Sequence, residues 1–316
     1  MVLMSRVSCL VIAFSRLESV ERLLNSINPF EVETLYIAID GPTSDEIRTT
    51  QVQIVKLLDS YCKRNSIRLA VWQRDENLGV AAAIISAIDW FFTHEDFGIV
   101  LEDDLVVGED FVSFVLENKY QLERDEVLLI SGDQFDQYSQ LAVSRSWTNY
   151  PLIWGWATSR KKWKEMRHGI VDAKPRLYRK PFSKVENFWR VGTLRVRSRE
   201  IDTWDIPLVY FMLQNRKLCL TPVRNLISNL GNDQFASHTK EDAFPLNLPI
   251  RRLSSSEIVL APNGDDIRLY NSFLEMNVFQ VRVRHSFLYI YFVIASFGKK
   301  RNWNQLAQDL SKIDLP

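Results

Sequence analysis

Apolar positions along the first half of the chain alternate between two spacings. Val7–Phe14 is a short continuous apolar run, after which Leu17, Val20, Leu23, Leu24 and Ile27 recur on one helical face. Leu35–Ile39, Ile67–Trp72, Gly98–Leu101 and Val127–Ile130 repeat the first kind of pattern; Ile47–Tyr61, Val80–Phe92 and Phe111–Tyr120 repeat the second. Short apolar runs separated by segments of helical period predict βαβ units. Strands that are apolar on both faces belong in a parallel sheet covered on both sides. The expected class is therefore α/β, a mostly parallel central sheet flanked by helices.

After about Gln134 the rhythm changes. Aromatic residues crowd in (Trp147, Tyr150, Trp154, Trp156, Trp163), and a basic stretch runs from Lys174 to Lys184. A helix is expected over Asp205–Asn215, a strand over Leu218–Leu220 and a further helix over Ile267–Met276. Near the end, Arg282, Arg284 and His285 precede the apolar run Phe287–Phe297, and Lys299, Lys300, Arg301 and Trp303 follow it. That run is shorter than the about 20 apolar residues a spanning helix needs. Its flanks suit either a helix lying in a membrane interface, through 282–303, or a final element packed on the domain with solvated basic ends.

Composition narrows the classes further. The 316 residues suffice for one large domain or two small ones. With 39 Lys+Arg against 39 Asp+Glu the formal net charge is zero, so bulk attraction to nucleic acid is not expected. The cysteines, Cys9, Cys62 and Cys219, are odd in number and far apart, which excludes a disulfide framework and a cysteine zinc site and fits a reducing compartment. Ser5, Arg6 and Ser8 break the opening residues, so no secretory signal is read there and a cytoplasmic location is expected, at the inner face of a membrane if the tail binds lipid.

The strongest chemical feature lies where the strand Gly98–Leu101 runs into Glu102-Asp103-Asp104. Adjacent carboxylates at a strand end repel one another unless a cation or a set of donors is present. A hard divalent ion, Mg²⁺ or Mn²⁺, would satisfy them and bridge to phosphate oxygens; an exposed acidic turn before the next helix is the alternative. Asp40 ends another strand before Gly41-Pro42, where its carboxylate could accept from a pyrimidine N3–H or form a turn. Arg16, just after the first strand, could pair with a phosphate or lie on the surface. Asn77-Leu78-Gly79 opens a helix whose free N–H groups suit an anion or a ribose.

In order along the chain, Val11–Arg16, Ile37–Asp40, Asn77–Gly79 and Glu102–Asp104 resemble the nucleotide-sugar domain of GT-A glycosyltransferases. The Glu-Asp-Asp form, with Asp110-Phe111 after it, looks most like the N-acetylglucosaminyltransferase I type and its bacterial relatives. Gly155-Trp156, Trp163, Thr203-Trp204-Asp205, Pro222–Gly231 and Ala236–Thr239 continue the likeness, which covers about residues 6–240. It implies a GT-A domain over 1–243, with a nucleotide-sugar half to about 133 and an acceptor half over 134–243. Residues 244–316 form a C-terminal extension outside it, with a membrane- or partner-binding role open.

The resemblance also implies roles. Asp104 would bind the metal, Asp103 the ribose, Glu102 the donor sugar and Asp40 the pyrimidine, with Arg16 and Asn77 beside the nucleotide. Asp205 would be the general base of an inverting transfer, in competition with Asp202, and a helix cap is its structural alternative. His238 would be a second metal ligand or a structural histidine. Trp154 and Trp156 would stack on a sugar ring or pack in the core. Lys174–Glu200 has no counterpart in the likeness and is the segment on which acceptor recognition is expected to depend.

The implied activity is transfer of a sugar from a nucleotide diphosphate donor, a UDP-sugar first, to a glycan or lipid-linked glycan hydroxyl, in bacterial surface polysaccharide or lipopolysaccharide synthesis. The rivals are a sugar-nucleotide nucleotidyltransferase and an inactive carbohydrate-binding protein of the same fold. Against the first, Ala13-Phe14-Ser15-Arg16 lacks the glycine-rich phosphate loop such an enzyme would show after its first strand.

Overall fold

The computed structural model describes residues 6–136, 146–175, 183–231, 244–254 and 259–281. Strand β1 (Val7–Ala13), helix α1 (Leu17–Ser26), β2 (Val32–Ile39), α2 (Asp45–Asn65), β3 (Arg68–Gln73), α3 (Val80–His94) and β4 (Phe97–Glu102) follow the alternation in the hydrophobic pattern. Next come β5 (Leu105–Val107), α4 (Phe111–Asn118), β6 (Val127–Ser131), β7 (Trp147–Thr148), β8 (Trp156–Ser159) and α5 (Arg160–Asp172). The chain continues through α6 (Lys184–Arg197), α7 (Asp205–Asn215), β9 (Leu218–Leu220), β10 (Ile227–Asn229) and α8 (Gly264–Phe273).

The central sheet has eight strands in the order β3-β2-β1-β4-β8-β6-β9-β7, and β10 pairs with β5 in a separate ribbon. Pairs β1–β2, β1–β4, β2–β3 and β6–β9 are parallel, whereas β8 lies antiparallel between β4 and β6, and β7 antiparallel on β9. The class is the expected α/β, with a mostly parallel sheet flanked by helices.

Strand order places the crevice. The chain steps outward from β1 to β2 to β3 and then returns to lay β4 on the other side of β1. Right-handed crossovers in opposite directions put their helices on opposite faces. Accordingly Val20, Leu23 and Leu24 of α1 and Ile54 and Leu58 of α2 join one core, whereas Ile84, Ile88 and Phe91 of α3 join the other with residues of α5 and α7. Between the carboxyl ends of β1 and β4 the order reverses, which is where open α/β sheets bind ligands.

Buried Gln51 of α2 ties the strand ends at this crevice. Its amide donates to the carbonyls of Phe14 (3.1 Å) and Asp40 (2.8 Å), and its oxygen accepts from Gln73 (3.3 Å). The ends of β1, β2 and β3 are thus held in one plane. Gly41 is obligatory beside it, because a Cβ there would sit 2.0 Å from the backbone carbon of Glu76.

A third core gathers α6, α7 and the chain after residue 243. Leu248, Tyr270 and Leu274 are buried with Trp189, Val209 and Tyr210. Hydrogen bonds stitch this region to the rest: Leu253 N donates to Asp110 (2.8 Å), Trp147 Nε1 to the carbonyl of Leu260 (2.8 Å) and Thr148 Oγ1 to Asn271 (2.7 Å). Among the described residues no helix is long and apolar enough to cross a membrane. Residues 282–303, for which an interfacial role is open, lie outside the described residues.

Candidate active site at the carboxyl end of the sheet

Glu102 is the last residue of β4, level with Ile12 of β1, and Asp103 and Asp104 form the turn into β5. Arg16 follows β1 as the residue preceding α1. Parallel pairing of β1 and β4 therefore brings Arg16 onto the acidic turn. Its Nη1 lies 3.1 Å from Asp104 Oδ2 and 3.7 Å from Asp103 Oδ1. Asp103 is also fixed by the backbone N–H of Phe14 (3.3 Å) and is nearly buried.

The segment Pro222–Gly231 closes over this turn through the β10–β5 ribbon. Leu230 N donates to the carbonyl of Asp104 (2.9 Å), and Gly231 N to Asn229 Oδ1 (2.7 Å). A Cβ on Gly231 would meet Asp104 Oδ2 at 2.4 Å, so only glycine fits against that carboxylate. His238 lies outside the described residues.

Asp205 arrives from the far side as the first residue of α7. Its neighbour Trp204 is buried in the core, stacked on Trp156 at a centroid distance of 6.0 Å and edge-on to Trp163 at 6.3 Å. That aromatic anchor fixes where α7 begins. Asp205 Oδ1 accepts from Ile206 N (2.8 Å) and from Thr203 Oγ1, and Oδ2 has no hydrogen-bond partner among the described residues. One oxygen thus serves the helix start and the other is available for chemistry.

The charges of Asp205 and the acidic turn meet at Glu102. Burial first, and then Asp104, Asp103 and Asp205, push its carboxyl up to about 8, with Arg16 opposing. Asp205 thus adds to the negative field at Glu102 although a hundred residues separate them in sequence. Perturbation of this kind at the mouth of a crevice marks functional sites.

The other residues singled out in the sequence form a second group. Both oxygens of Asp40 lie 3.1 Å from Leu78 N, and Arg74 Nη1 lies 4.0 Å from Oδ1. Arg74 in turn stacks over Trp72 at 4.0 Å and donates to Ser86 (2.7 Å). Asn77 braces the same turn, donating to the carbonyl of Gly41 (3.0 Å) and accepting from Gly79 N (3.2 Å). Asp40 and Asn77 thus lock the β2 and α3 loops together. The two groups are joined by the segment 201–205.

Asp202 makes that join. Its carboxylate accepts from the first N–H groups of α3, Val80 (2.8 Å) and Ala81 (3.3 Å). The helix start read from sequence as a site for an anion is thus filled by the protein's own carboxylate. Gly79, at φ +79°, is needed for this contact, since a Cβ would lie 2.7 Å from Asp202 Oδ2. Asp202 is thereby committed to a cap, which separates it from Asp205. Asp202→Ala is expected to lower stability by about 1 kcal/mol in a denaturant titration. Turnover should fall as the 201–205 segment loosens, with nucleotide affinity unchanged in the same preparation.

Trp156 is corrected to a core residue: it is 2% exposed and packed among aromatic rings, so it cannot stack on a sugar. Trp154 is partly buried against Phe135, with ring centroids 5.1 Å apart. The cysteines are all buried and free. Among the described residues no group of three or more His, Cys, Asp or Glu is arranged to hold a metal ion. A hard cation here would rest on the Asp104 side of the turn, with oxygen ligands completed by water and phosphate, as Mg²⁺ commonly is. The close approach that only glycine allows at Gly231 and the all-oxygen donor set fit such an ion.

Sequence reading missed Gln51, Arg74 and the capping function of Asp202, all of which act through tertiary hydrogen bonds. It also missed α6, although Ser183-Lys184-Val185-Glu186 carries the Ser-x-x-Glu signature of a helix start. In the structure Ser183 Oγ accepts from Glu186 N at 3.3 Å.

No protein-family model matches the chain, and no curated protein sequence matches it. Solved structures show remote likeness. A cytidylyltransferase from Leptospira borgpetersenii is 9% identical with a TM-score of 0.31, covering 52% of this chain and 64% of that one, so the chain spans less than two thirds of its length. A TarS fragment, residues 1–349, from S. aureus is 13% identical with a TM-score of 0.35, covering 66% and 71%. A UTP-bound UGPase from Acinetobacter baumannii is 10% identical with a TM-score of 0.36, covering 71% and 88%. At TM-scores this low the likenesses carry no argument about activity, and the architecture rests on the strand order itself.

Proposed function

We propose that the chain is an inverting glycosyltransferase of the GT-A kind that uses a nucleotide diphosphate sugar, UDP-linked first, and a divalent cation. The observation that carries this is the convergence of Arg16, the Glu102–Asp104 turn and Asp205 on one crevice at the β1–β4 switch point. A diphosphate needs cationic and hydrogen-bonding partners, and Arg16 with the Asp104 face supplies them at one side. A nucleophilic hydroxyl needs a carboxylate, and Asp205 Oδ2 supplies it at the other.

In the proposed reaction the acceptor hydroxyl gives its proton to Asp205 Oδ2 while the acceptor oxygen bonds to C1 of the donor sugar. The bond from C1 to the diphosphate oxygen breaks, and the electron pair leaves on the diphosphate. A bound Mg²⁺ or Mn²⁺ would supply neutralisation of the leaving group's charge. Arg16 would exchange its carboxylate partners for phosphate oxygens, and Asp103, fixed by Phe14 N, would remain to orient the ribose. Ala13–Arg16 contributes no glycine-rich loop, which favours glycosyl over nucleotidyl transfer.

Calorimetric titration with UDP, GDP and CDP, each with and without Mn²⁺, tests the assignment. One diphosphate is expected to bind in a metal-dependent way, and Asp104→Ala to abolish that dependence. Binding of none of the three would remove the donor site. Release of pyrophosphate from UTP and a sugar 1-phosphate would move the assignment to nucleotidyl transfer.

A further inference from the structure

Beside Asp205 lies a pocket of about 320 Å³ whose walls come from α6, the 201–206 segment and Phe279. Phe188, Trp189 and Phe279 form an aromatic wall, Phe188 on Trp189 at 5.0 Å and Trp189 on Phe279 at 4.9 Å between ring centroids, both edge to face. Val191, Ile201 and Ile206 supply aliphatic surface. Gly192 lines the pocket and faces Ile206 closely enough that a Cβ would lie 3.0 Å from Ile206 Cγ2, so side-chain bulk at this position crowds that wall.

The ionisable residues in the wall are Asp205 and Arg195. Arg195 is already satisfied by Glu200, its Nε donating to Oε1 at 2.5 Å. Counting that pair, the pocket carries an excess of negative charge from Asp205. Among the described residues, an anionic occupant would meet repulsion with no unpaired arginine in the wall to offset it. An alkyl chain would desolvate the Asp205 carboxylate without a donor for it, which is costly. A neutral pyranose satisfies both demands: its C–H face packs on the rings and a hydroxyl donates to Asp205 Oδ2. The volume is at the low end for small-molecule sites, about 300–1,000 Å³, enough for a single sugar unit.

We infer that this pocket is the acceptor subsite and that it selects a single uncharged hexopyranosyl unit over uronic and other acidic sugars. The assignment rests on the donor-site reading for its chemistry but not for its binding, and the two can fail separately. Phe188–Arg195 lies in the segment for which the sequence offered no counterpart, so specificity would be written in a part of the chain outside the family likeness.

The test is saturation-transfer NMR on the full chain with methyl glycosides of glucose, galactose, mannose and N-acetylglucosamine, and with methyl glucuronide, each with and without UDP and Mn²⁺. At least one neutral glycoside is expected to bind through one ring face, with the glucuronide weaker by roughly tenfold or more. Gly192→Leu fills the pocket and should weaken that glycoside roughly tenfold or more while leaving UDP binding unchanged. Phe188→Ala opens the wall and should weaken it too, and it guards against a folding defect in the first variant. Glucuronide binding equal to the neutral sugars, neutral binding unaltered in both variants, or UDP binding without any glycoside would each overturn the subsite. Tighter binding of octanol than of any methyl glycoside would overturn it as well. Glycoside binding lost in the variants, with no UDP binding in the parent, would uphold the pocket and remove the donor reading.

Discussion

Asp205→Asn is expected to bind the nucleotide diphosphate as the parent does and to transfer sugar about 10²–10⁴-fold more slowly, the usual contribution of a general base. The substitution separates two jobs that one carboxylate performs. Oδ1 accepts from Ile206 N and Thr203 Oγ1 at the start of α7, and an asparagine oxygen can do the same. Oδ2, on the pocket side, becomes an amide that cannot take a proton. Structure should therefore persist while chemistry fails, a combination visible as unchanged thermal midpoint, unchanged titration with UDP and a collapsed rate of UDP release with a neutral glycoside.

Asp202→Ala is the control with the opposite logic. It keeps the base and removes the hydrogen bonds to Val80 N and Ala81 N that hold the 201–205 segment against α3. Its loss of rate should be smaller than that of Asp205→Asn and accompanied by lower stability. Unchanged turnover in Asp205→Asn, with Asp202→Ala slow, would take the base role away from Asp205 and leave that segment with a purely architectural one.

How far these features are legible in the sequence depends on the range of the interactions that make them. The strands and helices through β6, β5 apart, are set by local periodicity, and their observed limits lie close to the apolar runs that announce them. Helix α7 begins at Asp205 and ends at Asn215, the limits read from the pattern, and Arg216 in the left-handed conformation closes it. Strands β7 and β8 are different. Trp147–Thr148 and Trp156–Ser159 are too short for a period-two signal and become strands only through antiparallel pairing with β9 and with β4 and β6. In the same stretch the dense aromatics suggest a ligand platform, yet Trp156, Trp163 and Trp204 fill a core beneath the sheet. Tryptophans that anchor a loop and tryptophans that stack on sugars share a composition and differ in depth.

The site shows the same division. The acidic turn is contiguous and can be read directly, but its union with Arg16 requires the β1–β4 pairing, and its union with Asp205 requires the packing of Trp204. Asn77-Leu78-Gly79 is read correctly as a helix opening with donors to spare. The acceptor that fills it, Asp202, lies 122 residues beyond Val80 and leaves no local trace.

Asp133→Asn is expected to stabilise the protein above pH 7 and to destabilise it near pH 4. Asp133 follows β6 and is fully buried, and burial raises its carboxyl to about 7. Oδ2 accepts from Trp154 N (3.1 Å) and Ser131 Oγ (3.2 Å), and these bonds oppose the shift without cancelling it. Oδ1 has no hydrogen-bond partner among the described residues. Because the folded value lies above the unfolded one, the unfolded chain loses this proton first as pH rises. Stability should fall across the interval from about 4 to about 7 and then level off. A shift from 3.8 to about 7 corresponds to a penalty on the order of 4 kcal/mol at pH 8. Asparagine removes the charge and keeps the acceptor for Trp154 N, but it leaves a buried amide N–H₂ where Oδ1 lay, at a cost of about 1–3 kcal/mol. A net gain of about 1–3 kcal/mol at pH 8 follows, to be read from paired urea titrations of parent and variant at pH 4.5 and pH 8. A parent that is no less stable at pH 8 than at pH 4.5, with no gain in the variant, would mean that the Asp133 carboxylate is compensated in the folded protein. In that case its place at the carboxyl end of β6 would have to be explained by a cationic partner.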